Sequence, residues 1–392
     1  MAGACIMIAL GIWIFLALSS YLFYPVLMRW KAKGKRLPYI SYSRNGNLPE
    51  VEVFIPLHNE EQVLQKKIQS VLSSQYPPEL LKVYCGLDDC TDASKNIVKK
   101  IAAEYPDRLF FIETQRVGKP EMLNRMVAEF APQEKILILT DANVILYPDT
   151  VYELVKYFKD KEIGLVDAGF VLNTDVVSHE MEFEYLGMEQ QLKYAEGLVW
   201  GTMQGPFGGC YAIRGELWEN IPAGFLVDDF FVGMSVMQKG WKAVVNPLAK
   251  VMEEVHTNWE EEYNRKKRIS AGNFQNLSFF SNVLAKPFTP LAFSFFFHKV
   301  IRWILPVLAL PVLVISVLEL LLWNFSPWPL LITLTLILLP VPLYYILHKL
   351  NLQLGTLRRL SYFIYINIAL LHGFINYIKG IQSNVWTPTK RR

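Results

Sequence analysis

Cysteine is scarce in this 392-residue chain: only Cys5, Cys85, Cys90 and Cys210, with no CxxC pair among them. That excludes a zinc ribbon and a disulfide framework, and it leaves the thiols as reduced packing residues. Charge of one sign is lacking too. Lys+Arg 39 against Asp+Glu 36 leaves a formal +3, which gives no electrostatic case for a nucleic-acid partner. Charged residues of either sign make up only 19%. No GxxxxGKS or GxGxxG loop is present, so any phosphate must be handled without a glycine-rich cradle. What remains is oil: 52% hydrophobic and 14% aromatic, with a mean hydropathy of +0.22, which excludes disorder and points to a membrane.

The oil sits at the two ends, around a polar stretch of about 220 residues, the size of one enzyme domain. Cys5 to Met28 is uncharged and long enough for one crossing, and Arg29, Lys31, Lys33, Lys35 and Arg36 follow at once. The positive-inside rule places that basic cluster in the cytoplasm. The run is too long for a signal peptide and has no small-residue cleavage site before the basic cluster. Ile301 to Trp323 and Trp328 to Leu347 read as a hairpin around Asn324-Phe325-Ser326. Leu360 to Ile378 is interrupted by Ser361, Asn367, His372 and Asn376. A crossing there would put Lys390-Arg391-Arg392 outside, so an interfacial or protein-packed helix is expected, with Lys286 to His298 as a second interfacial candidate. The expected segments are an anchor with its basic flank (1–36), a cytoplasmic domain (37–285), and interfacial helices, hairpin and tail (286–392). The protein is expected in a plasma or bacterial inner membrane.

In the central domain Val51 to Ile55, Leu81 to Leu87, Leu109 to Ile112 and Ile136 to Thr140 read as strands. Between the first two, Val63, Leu64, Ile68, Val71 and Leu72 recur at helical spacing. This α/β alternation predicts a mainly parallel, Rossmann-like sheet, whose ligands bind at the carboxyl ends of strands. Those ends carry Asn59-Glu60, Asp88-Asp89 and Asp141-Ala142-Asn143. Taken singly, such residues are turn formers and caps. Three in register on one edge suit a hard divalent cation and a ribose.

The run Val51 to Glu61, Leu87-Asp88-Asp89-Cys90-Thr91-Asp92, Gly118-Lys119 with Leu123-Asn124, Thr140 to Asn143, Gly208-Gly209, Val227-Asp228-Asp229 and Arg265 to Arg268 together resemble the membrane-integrated family 2 glycosyltransferases. That group includes cellulose, hyaluronan and poly-N-acetylglucosamine synthases and ceramide glucosyltransferase. The motifs stand in the family's order over about residues 50 to 280, and it is the ordered set that is specific. The resemblance implies a GT-A fold, a nucleotide-sugar donor, most often UDP-linked, Mg²⁺ or Mn²⁺, and inverting transfer.

Carried over, Asn59, Glu60, Asp89 and Lys119 would line the donor pocket. Asp141 would hold the metal, with Asn143 where the family has its second carboxylate. Asp229, beside Asp228, would be the base. Gly208, Gly209 and Gln275 would border the acceptor. Arg265 and Arg268 would clamp the diphosphate, with Ile269 where the family has Trp. Trp386, Thr389, Lys390 and Arg391 resemble a gating tail that closes over the nucleotide; a basic terminus attracted to lipid is the plainer alternative.

These features give a membrane-bound hexosyltransferase. Its acceptor is expected to be a polysaccharide or oligosaccharide, with a glycolipid synthase close behind. Three crossings are meagre wall for a polymer tunnel, so a second protomer or an accessory subunit would have to contribute. A transporter would need more spans and intramembrane charge. A non-catalytic nucleotide-binding module would not need Asp229 and Arg268.

Overall fold

The structure, a computed structural model, describes residues 2–130, 134–171, 180–253, 259–323, 346 and 355–380. Its contacts divide the chain into two units. One comprises Met28–Asn258 and Phe280–Ser294, and the other Met1–Leu27, Trp259–Phe279 and Phe295–Ile381.

The first unit is built on one sheet. Its strands are β1 (Val51–Leu57), β2 (Leu81–Asp88), β3 (Leu109–Thr114), β4 (Ile136–Thr140), β5 (Val144–Leu146), β6 (Ile163–Val171), β7 (Cys210–Arg214) and β8 (Lys242–Glu253), in the order β3-β2-β1-β4-β7-β6-β8-β5. β1, β2 and β4 are apolar on both faces and buried along almost their whole length, as central parallel strands require. β1 pairs in parallel with both β2 and β4, so the chain winds outward in two directions from it. That reversal leaves a crevice at the carboxyl ends of β1 and β4. β7 then inserts antiparallel between β4 and β6, and its amino end therefore lies at the same edge. The expected strands are all present. The parallel character holds for β1 to β4 and for β6 with β8, and the sheet as a whole is mixed.

The helix Glu61–Leu72 packs Val63, Leu64, Ile68, Val71 and Leu72 against the sheet, and the same face buries Lys67 completely. The helix Asp228–Gln238 follows a loop and is almost wholly buried. Its first turn carries two aspartates, where the positive end of the helix dipole favours negative charge.

In the second unit the helix Trp259–Phe279 runs along the helix Gly355–Ile378. Tyr362 donates to Glu262 (2.9 Å), Ser270 Oγ donates to the Leu370 carbonyl (2.7 Å), and the Phe274 ring lies tilted against Phe374. Gly373 is needed at that crossing, since a Cβ there would lie 2.3 Å from Ser270 Cβ. These contacts group Trp259–Phe279 with the apolar helices.

Three helices among the described residues are long and apolar enough to cross a membrane: Ile8–Ala32, Pro290–Val312 and Leu360–Ile378. Lys286 to His298 is not a separate interfacial helix. Thr289 Oγ1 accepts from Ala292 N (3.3 Å), Pro290 occupies the first turn, and the helix then continues through a π turn at Phe295–Val300 to Trp323. Leu360 to Ile378, expected to be interfacial or packed on protein, has its polar interruptions partly answered by Trp259–Phe279: His372 pairs with Tyr263. The span Trp328 to Leu347, apart from Ile346, and the tail residues Trp386, Thr389, Lys390 and Arg391 lie outside the described residues.

Candidate active site

Two residues past the end of β1 stands Asn59, whose φ of 53° is left-handed, and β2 is followed at once by Asp89 with φ 54°. These are the only non-glycine residues with positive φ among those described, and both were expected in the donor pocket. Asn and Asp tolerate this region best, and strain of this kind gathers at functional sites. The Asn59 side chain ties the two strand ends together. Its Oδ1 accepts from Thr91 N (2.8 Å) and Asp92 N (3.3 Å), and its Nδ2 donates to Thr91 Oγ1 (3.1 Å). Glu60 is buried and its backbone N donates to Ser94 Oγ (2.8 Å). Asp88 serves the next segment: its carboxylate accepts from Val117 N (2.7 Å) and Gly118 N (3.0 Å) and pairs with Arg116. Asp89 itself is exposed at the rim.

Held in this way, the helix Lys119–Phe130 starts at the crevice. Lys119 Nζ reaches Asp141 Oδ1 at 2.8 Å and Asp228 Oδ2 at 3.4 Å. Burial works to lower the Lys119 pKa, but the carboxylates of Asp141, Asp228 and Asp229 outweigh it and hold the ammonium raised. Three elements distant in sequence thus meet around one cation.

Asp229 behaves differently from an ordinary aspartate. Burial first, and the neighbouring Asp228 second, push its pKa up to about 6, against the pull of Lys119. Gly208 faces it closely, since a Cβ there would lie 2.6 Å from Asp229 Oδ2. At Gly209 a Cβ would meet the Phe207 ring at 2.5 Å, and its carbonyl accepts from Asp141 N (3.0 Å) and Thr140 Oγ1 (2.8 Å). The glycine pair therefore joins Asp229 to the Asp141 loop by close backbone approach.

Several supporting residues escaped the sequence reading. Lys67 donates to Thr140 Oγ1 (2.7 Å) and to the Val144 carbonyl, so it holds the Asp141–Asn143 loop from beneath; burial lowers its pKa to about 8. Asp167 accepts from Phe207 N (2.7 Å) and Lys193 Nζ (3.1 Å), and Lys193 also donates to the Gly205 carbonyl (3.0 Å), which fixes the approach to Gly208. Asn143 Nδ2 donates to Glu253 Oε1 (3.2 Å). A lysine on an otherwise apolar helical face was the one legible signal. The other pairs are 26 and 110 residues apart and depend on strand register.

The site can be judged for a divalent cation by its donor set. No group of three His, Cys, Asp or Glu side chains among the described residues forms a self-sufficient metal cage. Toward a cation the edge offers the oxygens of Asp141 and Asn143, while Asp228 Oδ2 has no closer partner than Lys119 Nζ at 3.4 Å and the fully buried Tyr211 hydroxyl has no hydrogen-bond partner. Hard oxygens without nitrogen or sulfur, too few to complete a shell, fit an Mg²⁺- or Mn²⁺-sized ion that shares its shell with phosphate and water. Arg265, Arg268 and Gln275 lie on Trp259–Phe279, in the other unit.

Comparison with known proteins agrees with this geometry. The model of the "Glycosyltransferase like family 2" domain matches residues 49–272. A probable glycosyltransferase, YdaM, of Bacillus subtilis is 24% identical over 257 residues, which are 60% of each chain. A beta-monoglucosyldiacylglycerol synthase of Synechocystis sp. is 23% identical over 324 residues, 78% of this chain and 66% of that one. The chain thus spans a little under two thirds of the length of these relatives. Among solved structures, a mannosyltransferase of Pyrobaculum calidifontis in complex with GDP-Man and Mn²⁺ superposes with a TM-score of 0.70 at 19% identity, over 95% of this chain and 99% of that one. That likeness shows a shared GT-A-like fold. With the matched domain covering more than half of its length, the chain belongs to glycosyltransferase family 2.

Proposed function

We propose that this protein transfers a sugar, with inversion, from a nucleotide-sugar to a membrane lipid at the cytoplasmic face of its membrane. The observation that carries the chemistry is the grouping of Asp229, Gly208, Lys119 and Asp141 at one sheet edge. Asp229 is the base. The acceptor hydroxyl oxygen bonds to the anomeric carbon, the bond from that carbon to the diphosphate breaks, and the hydroxyl proton passes to the Asp229 carboxylate. A base with pKa about 6 is ionised at neutral pH yet basic enough to accept that proton. Lys119 turns from its carboxylates toward the incoming diphosphate, and Asn59, Glu60 and Asp89 frame the nucleoside. A divalent cation held by Asp141 and Asn143 would neutralise charge on the leaving diphosphate.

The lipid acceptor is supported by the Synechocystis relative and by the membrane-length apolar helices among the described residues, which would let an acceptor enter from the bilayer. The test uses the purified full-length protein with UDP- and GDP-sugars and Mg²⁺ or Mn²⁺. Release of free nucleotide is measured with diacylglycerol, ceramide or oligosaccharide as acceptor, and products are identified by mass. A single-sugar lipid product is expected. A lengthening oligosaccharide would replace the lipid reading with the polysaccharide one, and no nucleotide release from any donor would remove the transferase reading.

A further inference from the structure

The motif at the end of β4 has one carboxylate, Asp141, and an amide, Asn143, at the position where a second carboxylate would strengthen the hold on a divalent cation. An amide oxygen can ligate such an ion, but it contributes no charge. The fold brings a carboxylate to that place by another route. β5 begins immediately after Asn143 and pairs antiparallel with the end of β8, in a register that sets Val144 opposite Glu253. Glu253, the last residue of β8, thereby reaches the motif from 110 positions away, and Asn143 Nδ2 donates to its Oε1 at 3.2 Å. Both side chains are partly exposed at the strand edge. The hydrogen bond turns the amide nitrogen toward Glu253 and leaves the amide oxygen on the opposite branch.

We infer that Glu253 is the second carboxylate of the divalent-cation site, displaced from the β4 loop to the facing strand. The inference rests on the metal reading proposed above. In this arrangement the net charge offered to the cation is that of a two-carboxylate motif, and Asn143 acts as both a neutral oxygen donor and the arm that orients Glu253. If Glu253 served only to accept the Asn143 hydrogen bond, a glutamine would do so equally well through its own amide oxygen. Charge and hydrogen bonding can therefore be separated.

The test measures Mn²⁺ binding directly, by loss of the free-ion paramagnetic resonance signal. The full-length protein is titrated in the presence of UDP and, in a parallel series, GDP. Glu253→Gln is expected to weaken Mn²⁺ binding by about 10- to 100-fold, the range seen when partners around a metal site are removed. The double variant Asn143→Asp with Glu253→Asn exchanges the groups across the strand pair and keeps one carboxylate and one amide. It is expected to recover affinity to within about threefold of the parent. Parent-like binding by Glu253→Gln overturns the assignment of Glu253, as does an exchange variant that binds no better than Glu253→Gln alone. A parent that binds no Mn²⁺ with either nucleotide overturns the metal reading itself, and this inference with it.

Discussion

At the β1–β2 end of the sheet edge, Asn59, Glu61, Asp88 and Asp92 spend their side chains on other groups of the protein. Asn59 bonds the Thr91–Asp92 backbone, Glu61 and Asp92 bond each other's loops, and Asp88 caps Val117 and Gly118. At the β4–β7 end, Asp141, Asp228 and Asp229 crowd around Lys119. A buried Asp228 oxygen and the Tyr211 hydroxyl go without hydrogen bonds, and Asp229 is raised well above an ordinary aspartate. Both ends are acidic in sequence. One is electrostatically satisfied and serves as frame. The other holds unresolved charge at a cost in stability, as active sites commonly do. Substitutions at the two ends should therefore have opposite signatures.

The largest effect is expected at Asp229, the proposed base. Asp229→Asn keeps the shape and removes proton acceptance, so turnover should fall by about 10² to 10⁴-fold while nucleotide affinity is retained. The same change should raise the melting temperature at pH 7.5. A carboxylate whose folded pKa is raised from 3.8 to about 6 contributes stability that is full at low pH and is lost as pH climbs through that window. In the parent, kcat/KM should drop tenfold per unit below about pH 6 and lie flat above it until another group titrates. Near-normal turnover in the variant would assign the base to another residue and erase the contrast between the two ends.

Gly208→Ala comes next. Its new Cβ would start 2.6 Å from Asp229 Oδ2, and a displacement of the base by about 1 Å is worth about 10²-fold in rate. Affinity for the nucleotide should barely change, which steady-state kinetics against nucleotide titration will show. Asp141→Ala should follow, with donor affinity weakened by about 10- to 100-fold and the response to added Mn²⁺ lost with it, read by calorimetry.

How far the sequence reached follows the same division. The strand ends were legible because β1, β2 and β4 are short apolar runs that stop at polar residues. Asn59, Asp89, Lys119, Asp141, Asp228 and Asp229 all fall on one unit, at or near one edge. What was hidden depends on three-dimensional register: Glu253 facing Asn143, Lys193 beneath Gly205, Lys67 under Thr140. Local pattern also misjudged Lys286 to His298, because His298 and Lys299 break the apolar run but not the helix, which absorbs them in a π turn. No periodicity shows that Trp259–Phe279, rich in charge, packs on Gly355–Ile378. That preference comes from matched aromatic and small residues on two helices far apart in the chain.

The smallest effect on chemistry, and the clearest on stability, is expected from Asp88→Asn. The parent carboxylate is buried and takes two backbone N–H groups besides its ion pair with Arg116. An asparagine offers one oxygen. Its NH₂ must then face either Val117 N–H or both Gly118 N–H and the guanidinium, so at least one donor loses its acceptor and the charge of the pair with Arg116 is lost. Groups left in that state cost about 1–3 kcal/mol each, so a loss of about 2–3 kcal/mol and a melting temperature lower by several degrees are expected. Turnover of the molecules that remain folded should fall less than tenfold, because Lys119 keeps its own contacts to Asp141 and Asp228 and stays in the crevice. Thermal unfolding and kinetics on one preparation decide it. A variant as stable as the parent but without activity would place Asp88 among the reacting groups and make the two ends of the edge alike.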